Sequence, residues 1–210
     1  MRNVGISIVG ALLLWGCSGA PEKPADKSQG TATKAEPAKA ESEYETGRAA
    51  FQKMYVAARN WSADAQPVRL ESHPTKEDPK DGRAAMWAAV FVSASKQNLR
   101  NFSWSGVATD PDKGIQPGSL DYYSPSNAST RPFDLNFLKV DSTRAFEVAD
   151  KKGGAALWKA NPQQPIKYML FFDSSKARLV WRVQYGNSQN DAKLRVLVNA
   201  SSGDFIATEK

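Results

Sequence analysis

The body of this chain repeats one pattern of aromatic and apolar residues, and the second copy follows the first after 94–96 residues. The matched pairs are Arg48 with Arg144, Phe51 with Phe146, Trp87 with Trp181, Phe91 with Tyr185, Phe102 with Val196 and Trp104 with Val198. Self-similarity at a nearly fixed offset indicates a repeated structural unit. We therefore predict two similar units, at residues 44–105 and 141–210.

Each copy opens with residues spaced as on one face of a helix. In the first copy these are Phe51, Met54, Tyr55, Ala58 and Trp61 or Ser62, with Ser42 and Glu45 at capping-box spacing before them. In the second they are Phe146, Ala149, Gly153 and Ala156 or Leu157, with Asp141 or Ser142 as the cap. Each glycine of the pair at 153 and 154 costs a helix about 1 kcal/mol relative to alanine. The pair therefore predicts a close approach of this helix to a sheet.

Strand-like segments follow each predicted helix. They cover 68–72, 86–95 and 99–105 in the first copy, and 166–172, 179–185 and 194–199 in the second. Leu179, Trp181, Val183 and Tyr185 alternate with polar or smaller residues, as in a strand with one buried face. Polar turn segments separate the strands. The predicted fold class is α+β, with two similar units that each pack a helix on an antiparallel β-meander.

Residues 106–140 connect the two predicted units. Their first part, 106–132, contains four prolines and three glycines, which is typical of a long loop. A short strand is predicted at 133–140, leading into the second helix. Long loops in compact domains are uncommon and are often functional or mobile.

The amino-terminal segment has the three parts of an export signal. Arg2 supplies the positive charge, and residues 4–14 are an apolar stretch of 11 residues. A membrane-spanning helix needs about 18 or more, so we expect residues 1–16 to be a leader that is removed. The single cysteine of the chain, Cys17, follows directly.

The segment Leu14-Trp15-Gly16-Cys17 resembles the lipobox of bacterial lipoproteins. This resemblance implies cleavage before Cys17 and attachment of lipid to its thiol, so that the protein is held on a bilayer. Two or more acyl chains give stable anchoring, because each buried methylene contributes about 0.8 kcal/mol. The alternative is an ordinary secretory signal with an incidental cysteine. Ser18 is compatible with sorting to the outer membrane on its periplasmic side.

Residues 17–43 are predicted to be the lipidated cysteine and a disordered tether. After Cys17 the segment contains no aromatic residue and no aliphatic side chain larger than alanine, so it cannot bury enough apolar surface to fold. A coil of this length spans about 28 Å. The net charge of +6 is spread along the chain without a basic cluster, which argues against nucleic acid as a partner.

The second copy resembles the PepSY family. The resemblance rests on the helix at 142–158, the strand at 179–185 and the closing strand and turn at 194–204, where Ala200 and Gly203 match the family pattern and Asn199 replaces its usual aspartate. The first copy lacks this closing turn. PepSY domains occur in peptidase propeptides and envelope proteins. The resemblance implies a module that binds or restrains a partner, without naming a ligand.

The sequence offers little for catalysis or metal binding. His73 is the only histidine, so a Ser–His or Cys–His arrangement would require it as the base. We expect instead a loop residue in solvent. Asp110, Asp112 and Gly114, with Asp121 beyond, are similar to a calcium loop, but the glycine comes one position early. No metal, cofactor or catalytic residue is predicted.

The strand aromatics and their neighbouring arginines are the remaining candidates for partner binding: Trp87, Arg100, Trp104, Trp181 and Arg182. The alternative is that the aromatic rings fill the core between helix and sheet. A partner could also add a strand to an open sheet edge.

Two functions remain open on the sequence alone. The first is a non-catalytic, lipid-anchored envelope protein that binds a protein partner or restrains a peptidase. The second is a structural accessory factor of outer-membrane or cell-wall assembly that contacts peptidoglycan or anionic lipid.

Overall fold

A computed structural model describes residues 41–188 and 190–209. Its strands are Glu45–Thr46 (β1), Gln66–Ser72 (β2), Arg83–Ala84 (β3), Met86–Ser93 (β4), Asn98–Ser105 (β5), Gly114–Tyr122 (β6), Ile166–Asp173 (β7), Arg178–Tyr185 (β8), Leu194–Asn199 (β9) and Phe205–Glu209 (β10). Its α-helices are Gly47–Trp61 (α1), Ser142–Ala149 (α2) and Ala155–Ala160 (α3). The predictions for the leader, for Cys17 and for most of the tether lie outside the described residues.

Eight strands form one antiparallel sheet in the order β10-β9-β8-β7-β2-β4-β5-β6. The α+β class with a large antiparallel sheet is therefore confirmed. The two halves of the sheet meet where β2 pairs with β7, with Leu70 opposite Leu170. The strands β1 and β3 form a separate two-stranded ribbon. In the described part of the chain, no helix is long and apolar enough to cross a membrane.

The helices cover one face of the sheet and build a single core with it. Alternate strand residues point toward the helices, and among them Leu70, Trp87, Leu170 and Trp181 are fully buried. One apolar cluster contains residues of α1, of α2 and of both halves of the sheet. Residues 41–209 are thus one compact body, and the predicted boundaries at 105 and 141 do not separate two cores.

The amino-terminal ends of α1 and α2 are joined by side-chain hydrogen bonds. Thr46 caps α1 and donates its hydroxyl to Asp141 Oδ2 at 2.7 Å. Asp141 caps α2, and its Oδ1 also accepts from Arg48 N at 2.9 Å. Ser142 Oγ accepts from Gly47 N at 2.7 Å. A Cβ on Gly47 would collide with the Trp181 ring, so this close junction requires glycine.

The two fully buried tryptophans hold these helix ends in the same way. Trp87 Nε1 donates to the Glu45 carbonyl at 3.1 Å, and Trp181 Nε1 donates to the Val140 carbonyl at 2.9 Å. Each acceptor lies two residues before the first residue of the helix that follows it. Each indole therefore fills the core and satisfies a backbone carbonyl at the entry to a helix.

Three local predictions are wrong. The first helix begins at Gly47 with Thr46 as its cap, because Glu45 and Thr46 pair with β3, and Ser42 accepts from Ala108 N instead. The segment 106–132 is not all loop, since β6 pairs with β5 along most of its length. Pro117 within β6 is tolerated because β6 is an edge strand. Residues 133–140 form no strand and contain a 3₁₀ turn at Leu135–Phe137.

The second helix is interrupted, although a single helix is predicted at 142–158. A π-helical turn at Asp150–Gly154 separates α2 from α3, and Gly153 has φ of +112°. That conformation suits glycine and is strained for other residues. Gly154 lies against the hydroxyl of Tyr185 on β8, which confirms the predicted close approach of this backbone to the sheet.

We expect Gly154→Ala to lower the free energy of unfolding by about 1–3 kcal/mol. The new methyl group would overlap the buried Tyr185 side chain and the Ala149 carbonyl. Urea unfolding followed by circular dichroism measures the loss. Lys151→Ala, on the exposed side of the same turn, is the matched control. Equal stability of the two variants would contradict the proposed contact.

Candidate functional site

The structure places the predicted partner-binding residues on different sides of the sheet. Trp87, Trp104 and Trp181 are 0%, 4% and 0% exposed and lie in the core under the helices. A partner cannot reach these rings. Their burial supports the alternative, in which the rings fill the core between helix and sheet. Arg100 lies near the outer edge, where its Nε donates to the Gly118 carbonyl at 3.1 Å. Only Arg182 lies on the opposite side of the sheet.

That opposite side, which we call the far face, is formed by the strand residues that alternate with the core positions. The cross-strand neighbours Glu71, Met169, Arg182 and Leu197 form one row across its centre. The connection after β6 covers one end of it, where Tyr123 packs on Val68 and Val92. The α-helices pack on the other side of the sheet, and a 3₁₀ turn at Ala128–Thr130 borders the far face.

A cluster of paired charges occupies the centre of the far face. Lys167 Nζ lies 2.9 Å from Glu71 Oε2, and Arg69 lies 3.9 Å from the same carboxylate. Arg182 Nε lies 2.8 Å from Glu209 Oε2, and Arg195 lies 4.0 Å from it. The members of this far-face ion cluster are Arg69, Glu71, Lys167, Arg182, Arg195 and Glu209. Arg69 and Lys167 share the single carboxylate of Glu71, so this part of the cluster is positively charged.

His73 stands at the end of this cluster, on the residue after β2. Its backbone N–H donates to the Met86 carbonyl at 2.9 Å, and its ring borders a pocket of about 190 Å³ with Glu71 and Ser103. No hydrogen bond joins the ring to either of these side chains among the described contacts. The prediction of a loop residue in solvent is confirmed, since His73 is exposed and lies outside the strands, and the structure adds that it stands beside paired charges.

The surroundings shift the pKa values of two groups in the cluster. Burial would by itself raise the pKa of Glu71, but the hydrogen bond and charge of Lys167, together with Arg69 and His73, lower it below 4.5 overall. Partial exclusion of water lowers the pKa of His73 below 6.5. Glu71 opposes that shift, whereas Lys167 and Arg69 reinforce it. The folded protein therefore favours an ionised Glu71 and a neutral His73.

We expect Glu71→Gln to flatten the acid side of the stability profile. Because the folded-state pKa is lowered, ionised Glu71 stabilises the fold above its unfolded-state pKa of about 4.3, and this contribution is lost as pH falls through the folded-state value. Urea unfolding in steps from about pH 7 to about pH 3 measures the slope. Glu77→Gln, at an exposed loop carboxylate, is the control. Unchanged acid sensitivity in Glu71→Gln would contradict the ion pairing.

A groove of about 620 Å³ lies on the far face beside this cluster. The apolar part of its lining is Val68, Val90, Leu99, Met169 and Phe171. Arg69, Arg131 and Arg182 stand around this apolar floor, and Ser129 and Thr130 of the connection form a polar wall. We call this feature the far-face groove. Its size is in the range of pockets that hold small ligands or several side chains.

Two of the groove arginines stack on aromatic rings. The Arg182 guanidinium lies 4.7 Å from the centre of the Phe171 ring, and Arg131 lies 5.4 Å from that of Phe172. Stacking restrains a guanidinium while leaving its N–H edges available for carboxylate or phosphate. Arg182 Nη2 donates to Glu209 Oε1 at 3.1 Å, and its Nε lies 2.8 Å from Glu209 Oε2 without a hydrogen bond to it. Arg131 has no carboxylate partner within the described residues.

The calcium-like segment forms ordinary turns. Asp110 Oδ1 accepts from Asp112 N at 2.9 Å, and Asp121 lies on β6. Across residues 41–188 and 190–209, no three acidic, histidine or cysteine side chains are grouped so that they could hold a metal ion.

Sequence reasoning missed most of the residues that meet on the far face. Arg69, Lys167, Arg195 and Glu209 are distant in the sequence, and Arg131 belongs to the segment predicted as loop. The available signal was strand alternation, because Glu71, Lys167 and Arg182 each follow a core position in a central strand. That pattern identifies the face but not which side chains become neighbours.

Comparison with protein-family models, with curated proteins and with solved structures finds no match for this chain. The candidate site is therefore defined by its geometry alone, and the resemblance to the PepSY family stays a prediction.

Proposed function

We propose that this protein is a lipid-anchored cell-envelope module that binds a protein partner through its far face and performs no catalysis itself. The observation that carries the proposal is the far-face groove, with an apolar floor next to charged side chains on the side of the sheet opposite the α-helices. Binding sites commonly combine an apolar floor with a few placed polar groups. Acylation of Cys17 would hold the body near the membrane, on the periplasmic side of the outer membrane.

We also propose that the body consists of two PepSY-like units fused into one sheet. Three features support this. The sheet divides between β2 and β7 into two halves of four strands each, Trp87 and Trp181 donate to matching positions before α1 and α2, and capping residues join the two helix ends. In this arrangement the helix sides of both units are used for the core, which leaves the far face for a partner.

Recovery of a partner from the envelope tests the proposed function. The full-length chain carries a carboxyl-terminal affinity tag, is cross-linked in intact cells and is purified under denaturing conditions. We expect one envelope protein in near-stoichiometric amount, and a peptidase would fit the restraining role. Failure to recover any such protein from wild-type cells would overturn the proposal.

The accessory-factor function is favoured by one observation, the two cations Arg69 and Lys167 that share the carboxylate of Glu71 on the far face. Such a surface attracts anionic polymers and lipids in a salt-dependent manner. Salt-sensitive sedimentation of the full-length chain with purified sacculi, without a stoichiometric protein partner, would favour this second function over the first.

A further inference from the structure

The far-face groove contains two arginines whose charge is not fully neutralised. Glu71 lies closer to Lys167, at 2.9 Å, than to Arg69, at 3.9 Å. Arg131 has no ion pair within the described residues and is held against Phe172. Arg182 differs, because two of its nitrogens face Glu209. A ligand that supplies carboxylates would complete the pairing of Arg69 and Arg131.

The floor between these arginines favours apolar side chains. Met169 and Phe171 lie next to each other on β7 on the same face, and Val90 lies opposite Arg69 on the neighbouring strand β4. An apolar side chain laid there would be removed from water, at about 25 cal/mol per Å² of buried apolar surface. A ligand that fits therefore carries an apolar group and an anionic group close together.

The borders of the groove indicate a peptide more than an acyl chain. Ser129, Thr130 and Asn101 line it beside the apolar floor, and the groove opens to solvent along the sheet. The Ser129 and Thr130 hydroxyls already donate to Asn127. An acyl chain would leave the Asn101 amide without a hydrogen bond, which is unfavourable when it is shielded from water. An extended peptide brings its own N–H and C=O groups and alternates its side chains to the two sides.

We propose that the far-face groove binds an extended peptide segment of the protein partner, in which an apolar side chain is flanked by carboxylates. The apolar side chain lies on Met169 and Phe171, and the carboxylates pair with Arg69 and Arg131. Charge-assisted hydrogen bonds to guanidinium are short and directional, so they would fix the register of the peptide. This inference rests on the proposed function, because it names the chemistry of the partner at the same site.

Selection from a phage-displayed random peptide library tests the proposal, with the full-length chain in detergent micelles as the target. We expect enriched peptides that combine acidic and apolar residues. Synthetic versions should bind the Arg69→Gln, Arg131→Gln double variant at least about tenfold more weakly, since both complementary charges are lost. Arg59→Gln with Arg144→Gln removes the same charge from exposed positions on the helix side and should leave binding unchanged. Unchanged melting temperatures show that the variants are folded.

Three results would overturn the inference. The enriched peptides could lack carboxylates, they could bind the double variant as tightly as the wild type, or dihexanoyl-phosphatidylglycerol could bind through Arg69 and Arg131 more tightly than any peptide. Failure of the proposed function is a different result, because then no envelope partner is recovered from wild-type cells at all. A partner recovered equally with the wild type and the double variant would contradict only the peptide inference.

Discussion

Replacing Cys17 by serine is expected to abolish lipid attachment and to release the protein from the membrane fraction. The serine hydroxyl cannot form the thioether to diacylglycerol, so the leader should stay uncut and the chain should keep its 16 leader residues. Each lost methylene removes about 0.8 kcal/mol of membrane affinity. Incorporation of labelled palmitate, partition into detergent phase and the mass of the amino-terminal peptide measure the three effects.

Ser18→Ala is the matched control for this experiment. It changes the next residue without removing the thiol, so acylation and cleavage should continue. If the Cys17→Ser chain stays in the membrane fraction with a normal mature amino terminus, the lipid anchor is not at Cys17. The same holds if labelled palmitate is still incorporated into that variant.

Trp181→Ala is expected to cause the largest loss of stability in the body, about 3–5 kcal/mol. The indole is fully buried, belongs to the core that both sheet halves share, and donates to the Val140 carbonyl before α2. Alanine would leave a cavity and a carbonyl without its donor. Trp87→Ala should give a loss of similar size, because Trp87 has the matching contact with Glu45. Urea unfolding measures both.

These two variants also test whether the body unfolds as one domain. Because one core joins both halves of the sheet, each variant should show a single transition shifted to lower urea concentration. Leu120→Ala, at a side chain that is 54% exposed, is the control and should change stability by about 0.5 kcal/mol or less. Two separate transitions, with only one shifted in each variant, would contradict a shared core.

The sequence predicts the central strands well because their alternation is strong. The segment predicted at 179–185 is the strand Arg178–Tyr185, and that predicted at 99–105 is Asn98–Ser105. The cap at Asp141 is likewise confirmed. In these places local preference and tertiary packing agree.

The edge strand β6 could not be recognised because its residues carry almost no burial pattern. Most of them are exposed, and Pro117 and Gly118 resemble loop residues in composition. Its pairing with β5 depends on backbone hydrogen bonds across the sheet. Such bonds cannot be predicted from amino-acid composition. The interruption of the second helix has a similar origin, since only the contact of Gly154 with Tyr185 explains it.

The candidate site was only partly predictable for a different physical reason. Alternation shows that strand residues face two sides, but it does not show which side the helices cover. Trp181 and Arg182 are neighbours in sequence, and the helices bury the first while the second reaches the far face. The prediction of a partner surface around the aromatic residues therefore selected the covered side, apart from Arg182.

Site-specific photocrosslinking in cells tests the central claim most directly. Benzoylphenylalanine replaces Asn101 or Ser103, which are exposed on the far-face side of β5, or Gln52 or Val56 on the exposed side of α1. A far-face partner predicts the same adduct from Asn101 and Ser103 and none from the two α1 positions. Adducts from α1 alone, or no adduct from the far face, would contradict the account.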